Sequence, residues 1–286
     1  MSNLLASMES LPVMPEVAAK ILAIAETDLD FSFAELENII KMDPGLTSRV
    51  LKVANSALYA RSKEITNLQT AIGLMGFKSL RSMVVLVTAS ALYKHKSSQW
   101  ILKALWRESV ESAFVCKSLA LATGNRELAE ESFLAGLLQD IGKLALALAM
   151  PDEYATIHRT INEDSPIPDE ALAETEVRQF GMNHKELGYQ VLQKWNFPDL
   201  YSELCRDHGS LHVPPRYKKL IILGSIGSTL GYLNHQDPIP EHSKAFLTPF
   251  LPYLGLTMDG LENFRKNHGA SLEKDSLYKS CMALIA

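Results

Sequence analysis

Apolar residues recur along this chain at three- and four-residue intervals, the period that lines up one face of an α-helix. Pro15 suits a first helical position before Val17, Ile21, Leu22 and Ile24. Ser32 and Glu35 make a capping box ahead of Leu36, Ile39 and Ile40. Asp43-Pro44 opens a third helix carrying Leu46, Val50, Leu51 and Val53. Thr66 and Gln69 repeat the box before Ala71, Ile72 and Leu74, and Gly76 is placed to stop that helix. The next segment, Lys78 to Tyr93, is apolar around most of its circumference, so the pattern predicts a buried helix.

A second set of helices begins near Gln99. One passes Trp106 and ends at about Ala122, before Gly124; the next carries Phe133, Leu137 and Leu138. Asp140 reads as a cap for the short helix that follows. Pro151 and Pro168 each start a helix, Asn183 and Glu186 cap another from Lys185 to Trp195, and Pro214-Pro215 leads one containing Leu220 to Ile226. The tail adds at least two helices, around Ser243–Leu254 and Asp275–Ala286. Sustained alternation and a Gly-x-Gly-x-x-Gly loop are both missing, so the predicted class is all-α. The segment Tyr93–Ser98 is the one seam between halves and is too short for a flexible linker.

Composition narrows the function. With 286 residues, 47% of them hydrophobic, the chain can bury a sizeable core. A net charge of −5 argues against binding driven by nucleic-acid phosphates. Residues Ile65–Met83 have a helix–turn–helix flavour, but Leu80, Met83 and Val84 make the second helix a core element. Cys116, Cys205 and Cys281 lack metal or redox spacing and read as reduced thiols. The N-terminus lacks a signal-peptide pattern, and Met83–Leu92 is too short to span a bilayer. A cytoplasmic protein without a membrane partner is expected.

The most telling stretch is Phe133-Leu-Ala-Gly-Leu-Leu-Gln139-Asp140-Ile-Gly-Lys143. In HD-domain phosphohydrolases, which it resembles, the polar pair is His-Asp and both residues bind metal. An amide is a far weaker ligand than an imidazole. Upstream lie Leu11-Pro-Val-Met-Pro15, Met42-Asp-Pro-Gly-Leu46, Arg49-Val-Leu-Lys-Val-Ala-Asn-Ser56 and Ala71-Ile-Gly-Leu-Met-Gly76. In that order they resemble the HDOD domain of bacterial signalling proteins, over about Leu4 to Leu233. The resemblance implies a helical subdomain over 4–93, an HD-like lobe over 99–233 and a helical extension over 234–286 that it leaves unexplained.

It also implies a degraded metal site. The early histidine of active relatives matches Glu108, the pair is Gln139-Asp140, and the final aspartate would fall near Leu223-Gly224-Ser225, where no carboxylate stands. His184 and His208 match positions where relatives carry extra histidines. The vestigial site therefore comprises Glu108, Gln139, Asp140, His184 and His208, with no residue assigned a catalytic or metal-binding role. Each has a plainer reading: Glu108 on a solvated face, Asp140 and His184 in helix-capping turns, His208 against a helix C-terminus. No cofactor is expected, and residual divalent metal binding is not expected either. The favoured function is a non-catalytic bacterial signalling protein that binds partner proteins or, as the lesser alternative, a small anionic ligand in the old cleft. The alternatives are a divergent metal-dependent phosphohydrolase or phosphodiesterase, and a nucleic-acid-binding regulator.

Overall fold

The computed structural model describes residues 16–24, 29–56, 65–94, 99–164, 169–233 and 238–285. Pro15, Pro168, the Leu11–Pro15 segment and most of the expected seam lie outside them. Among the described residues every regular element is a helix.

The N-terminal part holds α1 (Glu16–Ala23), α2 (Leu29–Lys41), α3 (Pro44–Ala54), α4 (Leu68–Met75) and α5 (Phe77–Ala89). Asp43 caps α3 by accepting from the Leu46 amide at 3.0 Å, as its sequence predicts. Two other caps differ from expectation. Helix α2 starts at Leu29, so Ser32 lies inside it, and α4 is capped by Asn67, which accepts from the Thr70 amide at 2.8 Å, not by Thr66. Gly76 ends α4 with φ of 77°, in the half of conformational space that side chains disfavour, and the chain bends by 119° into α5. From Leu80 to Ala89 every α5 residue is buried, and α1 to α4 pack around it.

The following helices are α6 (Gln99–Ala122), α7 (Ala129–Leu138), α8 (Ile141–Ala149), α9 (Pro151–Asp164), α10 (Asp169–Phe180), α11 (His184–Lys194), α12 (Asp199–Asp207) and α13 (Lys218–Tyr232). Helix α6 lies between α7 and α13, while α11 packs on α8 and α12. The two halves meet where α5 crosses α7. There Lys78 pairs with Glu131 at 3.1 Å, the largely buried Arg81 lies 3.6 Å from Glu131, and Ser79 donates to Glu130 at 2.7 Å. The basic residues of the helix–turn–helix-like segment are thus engaged at this joint, Arg81 largely buried and Lys78 partly exposed. One buried apolar cluster runs from Ala18 through Val85 and Trp106 to Tyr201 and Cys281, on both sides of the expected seam. The stretch Arg126–Ala149 is apolar and long enough to cross a membrane by composition, but most of it is buried in this fold.

The C-terminal part differs most from the sequence expectation. It holds α14 (Glu241–Leu247), α15 (Met258–Leu272), which the pattern did not reveal, and α16 (Ser276–Met282). Asp275 caps α16, which lies against both α6 and α3. Trp106 donates its indole N–H to the Cys281 carbonyl at 3.1 Å, and Tyr278 donates to Glu111 at 2.8 Å.

Candidate functional site

The site forms where the α7–α8 junction meets the starts of α10 and α11 and the end of α12. Gly142 permits this approach, because a Cβ there would overlap the carbonyl oxygen of His184. Gly188, one turn along α11, would place a Cβ 3.2 Å from the Gly142 nitrogen. The glycine of the Gln-Asp-Ile-Gly-Lys stretch is therefore what lets α8 dock on α11 and brings Asp140 beside His184.

Asp140, Asp169, His184 and His208 converge, each offering one ligand atom, and those atoms all lie within 4.8 Å of one another. Asp140 stands at the start of α8 but makes no side-chain cap bond, contrary to the capping expectation. Its Oδ2 accepts from Ser228 at 3.2 Å, and its Oδ1 lies 2.9 Å from the Lys143 ammonium. Asp169, the first residue of α10, pairs with Lys185 at 2.7 Å through Oδ2. His184 is fully buried in the first turn of α11, whose cap Asn183 accepts from the Glu186 amide at 2.9 Å as expected.

Both rings have one nitrogen already committed. Glu176, also fully buried, accepts from the His184 amide at 2.7 Å and from its Nδ1 at 2.6 Å. His208 Nδ1 donates to the Cys205 carbonyl at 2.7 Å, so this ring does sit against the end of its helix. Both partners are acceptors, so each Nδ1 carries its hydrogen and each Nε2 is turned into the site. Neither Nε2 has a hydrogen-bond partner, whereas Asp140 Oδ1 and Asp169 Oδ2 each face a lysine ammonium.

The electrostatics keep both aspartates charged. Burial opposes ionisation of Asp140, but Lys143, His208 and His184 outweigh it and hold its pKa below the usual range. Asp169 is lowered further, with His184 the leading favourable partner against burial. Burial also opposes the charged form of His184, yet Glu176 and Asp169 lift its pKa to about 9. A proton on Nε2 and a metal ion there are alternative ways of balancing the same carboxylates.

The remaining expected residues lie elsewhere. Glu108 is not a bare solvated face: its Oε1 pairs with His158 Nε2 at 2.9 Å. Gln139 is fully buried and donates from Nε2 to the Gly224 carbonyl at 3.3 Å. A Cβ at Gly224 would stand 2.9 Å from Gln139 Oε1, so the amide packs directly against this glycine of α13. The metal arrangement of active HD enzymes therefore does not fit these residues. A different set of four does converge, and sequence reasoning missed Asp169 in it, together with its support Glu176. Their signal was present: Asp169, Leu172, Ala173, Glu176 and Phe180 fall on one helical face, and the last four are buried.

Comparison with known proteins agrees with this architecture. A Geobacter sulfurreducens HDOD domain protein of unknown function aligns with a TM-score of 0.74 and 21% identity, covering 99% of this chain and 97% of its own. A Shewanella amazonensis SB2B protein provisionally assigned as a phosphohydrolase gives 0.71 and 23%, over 100% and 98%. A Marinobacter aquaeolei VT8 protein provisionally assigned to signal transduction gives 0.73 and 18%, over 99% of this chain and 65% of its own. An uncharacterized protein of Treponema pallidum (strain Nichols) is 26% identical over 83% of this chain, which spans 46% of that relative's length. The HDOD domain profile matches residues 11–211, well over half of the chain, and the protein belongs to the HDOD domain family.

Proposed function

We propose that this protein is a regulatory HDOD module that works by binding and not by turnover. The observation that carries the reading is Gln139, a buried amide packed against and bonded to Gly224 where relatives that hydrolyse carry a metal-binding imidazole. Metal-dependent hydrolysis needs a metal with an open position for the attacking water. Glu108 Oε1 is instead paired with His158, and Gln139 Nε2 with the Gly224 carbonyl. The Marinobacter relative's provisional assignment to signal transduction supports the same reading. The three buried cysteines of this chain, none in a disulfide, suit a reducing cytoplasm.

In this reading the output is contact with signalling proteins, and the cleft serves as a polar anchor or a ligand site. The rival is a divergent phosphohydrolase, favoured by the convergence of Asp140, Asp169, His184 and His208. An assay decides between them: the full chain with bis(p-nitrophenyl) phosphate and p-nitrophenyl phosphate, supplied in turn with Mn²⁺, Fe²⁺, Ni²⁺ and Zn²⁺. Hydrolysis should not exceed that of Asp140→Ala. Turnover that this substitution abolishes would sink the regulatory reading.

A further inference from the structure

We propose that Asp140, Asp169, His184 and His208 form a closed binding site for one divalent transition-metal ion, with zinc the best match, which fastens the cleft without catalysing a reaction. The proposal deepens the regulatory reading of the same cleft and rests on it for the absence of turnover.

Geometry carries the first part. A tetrahedral zinc ion with bonds of about 2.0–2.1 Å has ligand atoms about 3.3 Å apart. His184 Nε2 lies 3.3 Å from Asp169 Oδ1 and 3.8 Å from Asp140 Oδ1. His208 Nε2 lies 3.3 Å from Asp169 Oδ2 and 3.8 Å from Asp140 Oδ1. The two rings share Asp140 Oδ1 as a common vertex, but they meet different oxygens of Asp169. With one oxygen taken from each carboxylate the four ligand atoms lie within 4.8 Å of one another, so closing on an ion needs a turn of the Asp169 carboxylate and up to about 1.5 Å of contraction.

The second part rests on the orphaned atoms. Two rings buried to more than nine-tenths aim Nε2 into the same space without a hydrogen-bond partner. Buried polar atoms are ordinarily satisfied, so a cluster of them around one point indicates a missing partner. The outer contacts are those that metal-binding histidines use. Glu176 holds His184 by Nδ1, and the Cys205 carbonyl holds His208 by Nδ1, fixing the tautomer that leaves Nε2 free to ligate.

The donor set selects the ion. Two imidazoles and two carboxylates suit zinc and its transition-metal neighbours, whereas magnesium and calcium favour all-oxygen sites. Four protein ligands also complete a tetrahedron, leaving no position for water, which is the pattern of structural zinc. The ligands come from the α7–α8 junction, α10, α11 and α12, so the ion would tie four elements together. Lys143, 2.9 Å from Asp140 Oδ1, is a built-in competitor for the same carboxylate.

The test is calorimetric titration of Zn²⁺ into the full chain after chelator treatment and desalting, repeated with Mg²⁺. One Zn²⁺ per chain is expected, with no comparable Mg²⁺ binding, and Co²⁺ should give the intense visible absorption of tetrahedral coordination. Asp169→Asn and His208→Gln should each weaken Zn²⁺ by about 10- to 100-fold. Lys143→Gln keeps all four ligands and should tighten it. Circular dichroism of each chelated variant shows whether it is folded. If the ligand variants do not fold, the Lys143→Gln affinity and the Co²⁺ spectrum decide. Failure of wild type to bind one Zn²⁺, equal binding of Mg²⁺, or affinity unchanged in the folded ligand variants would overturn the proposal. Zinc binding with hydrolysis would remove the regulatory reading and with it the closed, non-catalytic character of the site, leaving the four ligands; no zinc and no hydrolysis would remove only this proposal.

Discussion

At the scale of single residues, the cleft depends on side chains the chain can scarcely replace. Gly142 is the sharpest case, since any Cβ there would collide with the backbone of α11 at His184. Gly142→Ala should cost about 3 kcal/mol or more, because backbone and not a flexible side chain must move. Urea unfolding measures this, and a midpoint close to wild type would show that α8 and α11 can separate without loss. Much of the site was legible at this scale. The Gln139-Asp140 substitution and the positions of His184 and His208 stand out in the sequence. Asp169 did not, because an acidic residue opening a helix is the commonest of capping patterns. Only its shared face with Glu176 marks it, and that face is visible once two acids are seen to lie on an apolar stripe.

At the scale of elements, periodicity and stop signals located most helices. Helix α6 runs from Gln99 to Ala122 and is ended by Gly124, with φ of 76°. Cap identity was harder, since Thr66 and Asn67 are adjacent and both suit the role; only the backbone decides which side chain reaches back. Helix α15 escaped notice because its buried side chains are just Leu261, Arg265 and Leu272, too few to draw an apolar stripe. Helix α5 is the opposite extreme. Val85 is fully buried at its centre, so Val85→Asp places a charge without a partner in the core. The expected outcome is insoluble protein or a loss above about 4 kcal/mol, with Val85→Ile as a tolerated control. Melting curves check it, and near-normal melting of the aspartate variant would put α5 at the periphery.

At the scale of the whole molecule, the halves are joined by charge as well as apolar contact. Burial works against ionised Glu130, but Lys117 and the Ser79 and Ser82 hydroxyls prevail and lower its pKa below the ordinary 4.5. A carboxylate lowered on folding stabilises the protein above its unfolded value, and that contribution is lost as pH falls through the folded value. Wild type should therefore melt above Glu130→Gln near neutrality, and the gap should close as pH drops below 4.5. A gap constant with pH would mean the Glu130 charge adds nothing, either to its pairing with Lys117 on α6 or to its Ser79 contact across the joint. The sequence does not announce this contact, because Ser79 meets Glu130 and Lys78 meets Glu131 only through the crossing of α5 over α7, while Lys117 reaches Glu130 from α6.

The seat of Trp106 has an optical consequence. Its indole is fully buried and bonded to the carbonyl of Cys281, whereas Trp100 is 44% exposed and already in contact with water. Emission from Trp106 is therefore tuned by a residue at the far end of the chain. Any partner, ion or substitution that lifts α16 from α6 admits water to that ring and moves its fluorescence to longer wavelength. The protein thus carries its own dye for the docking of its last helix, read without labelling.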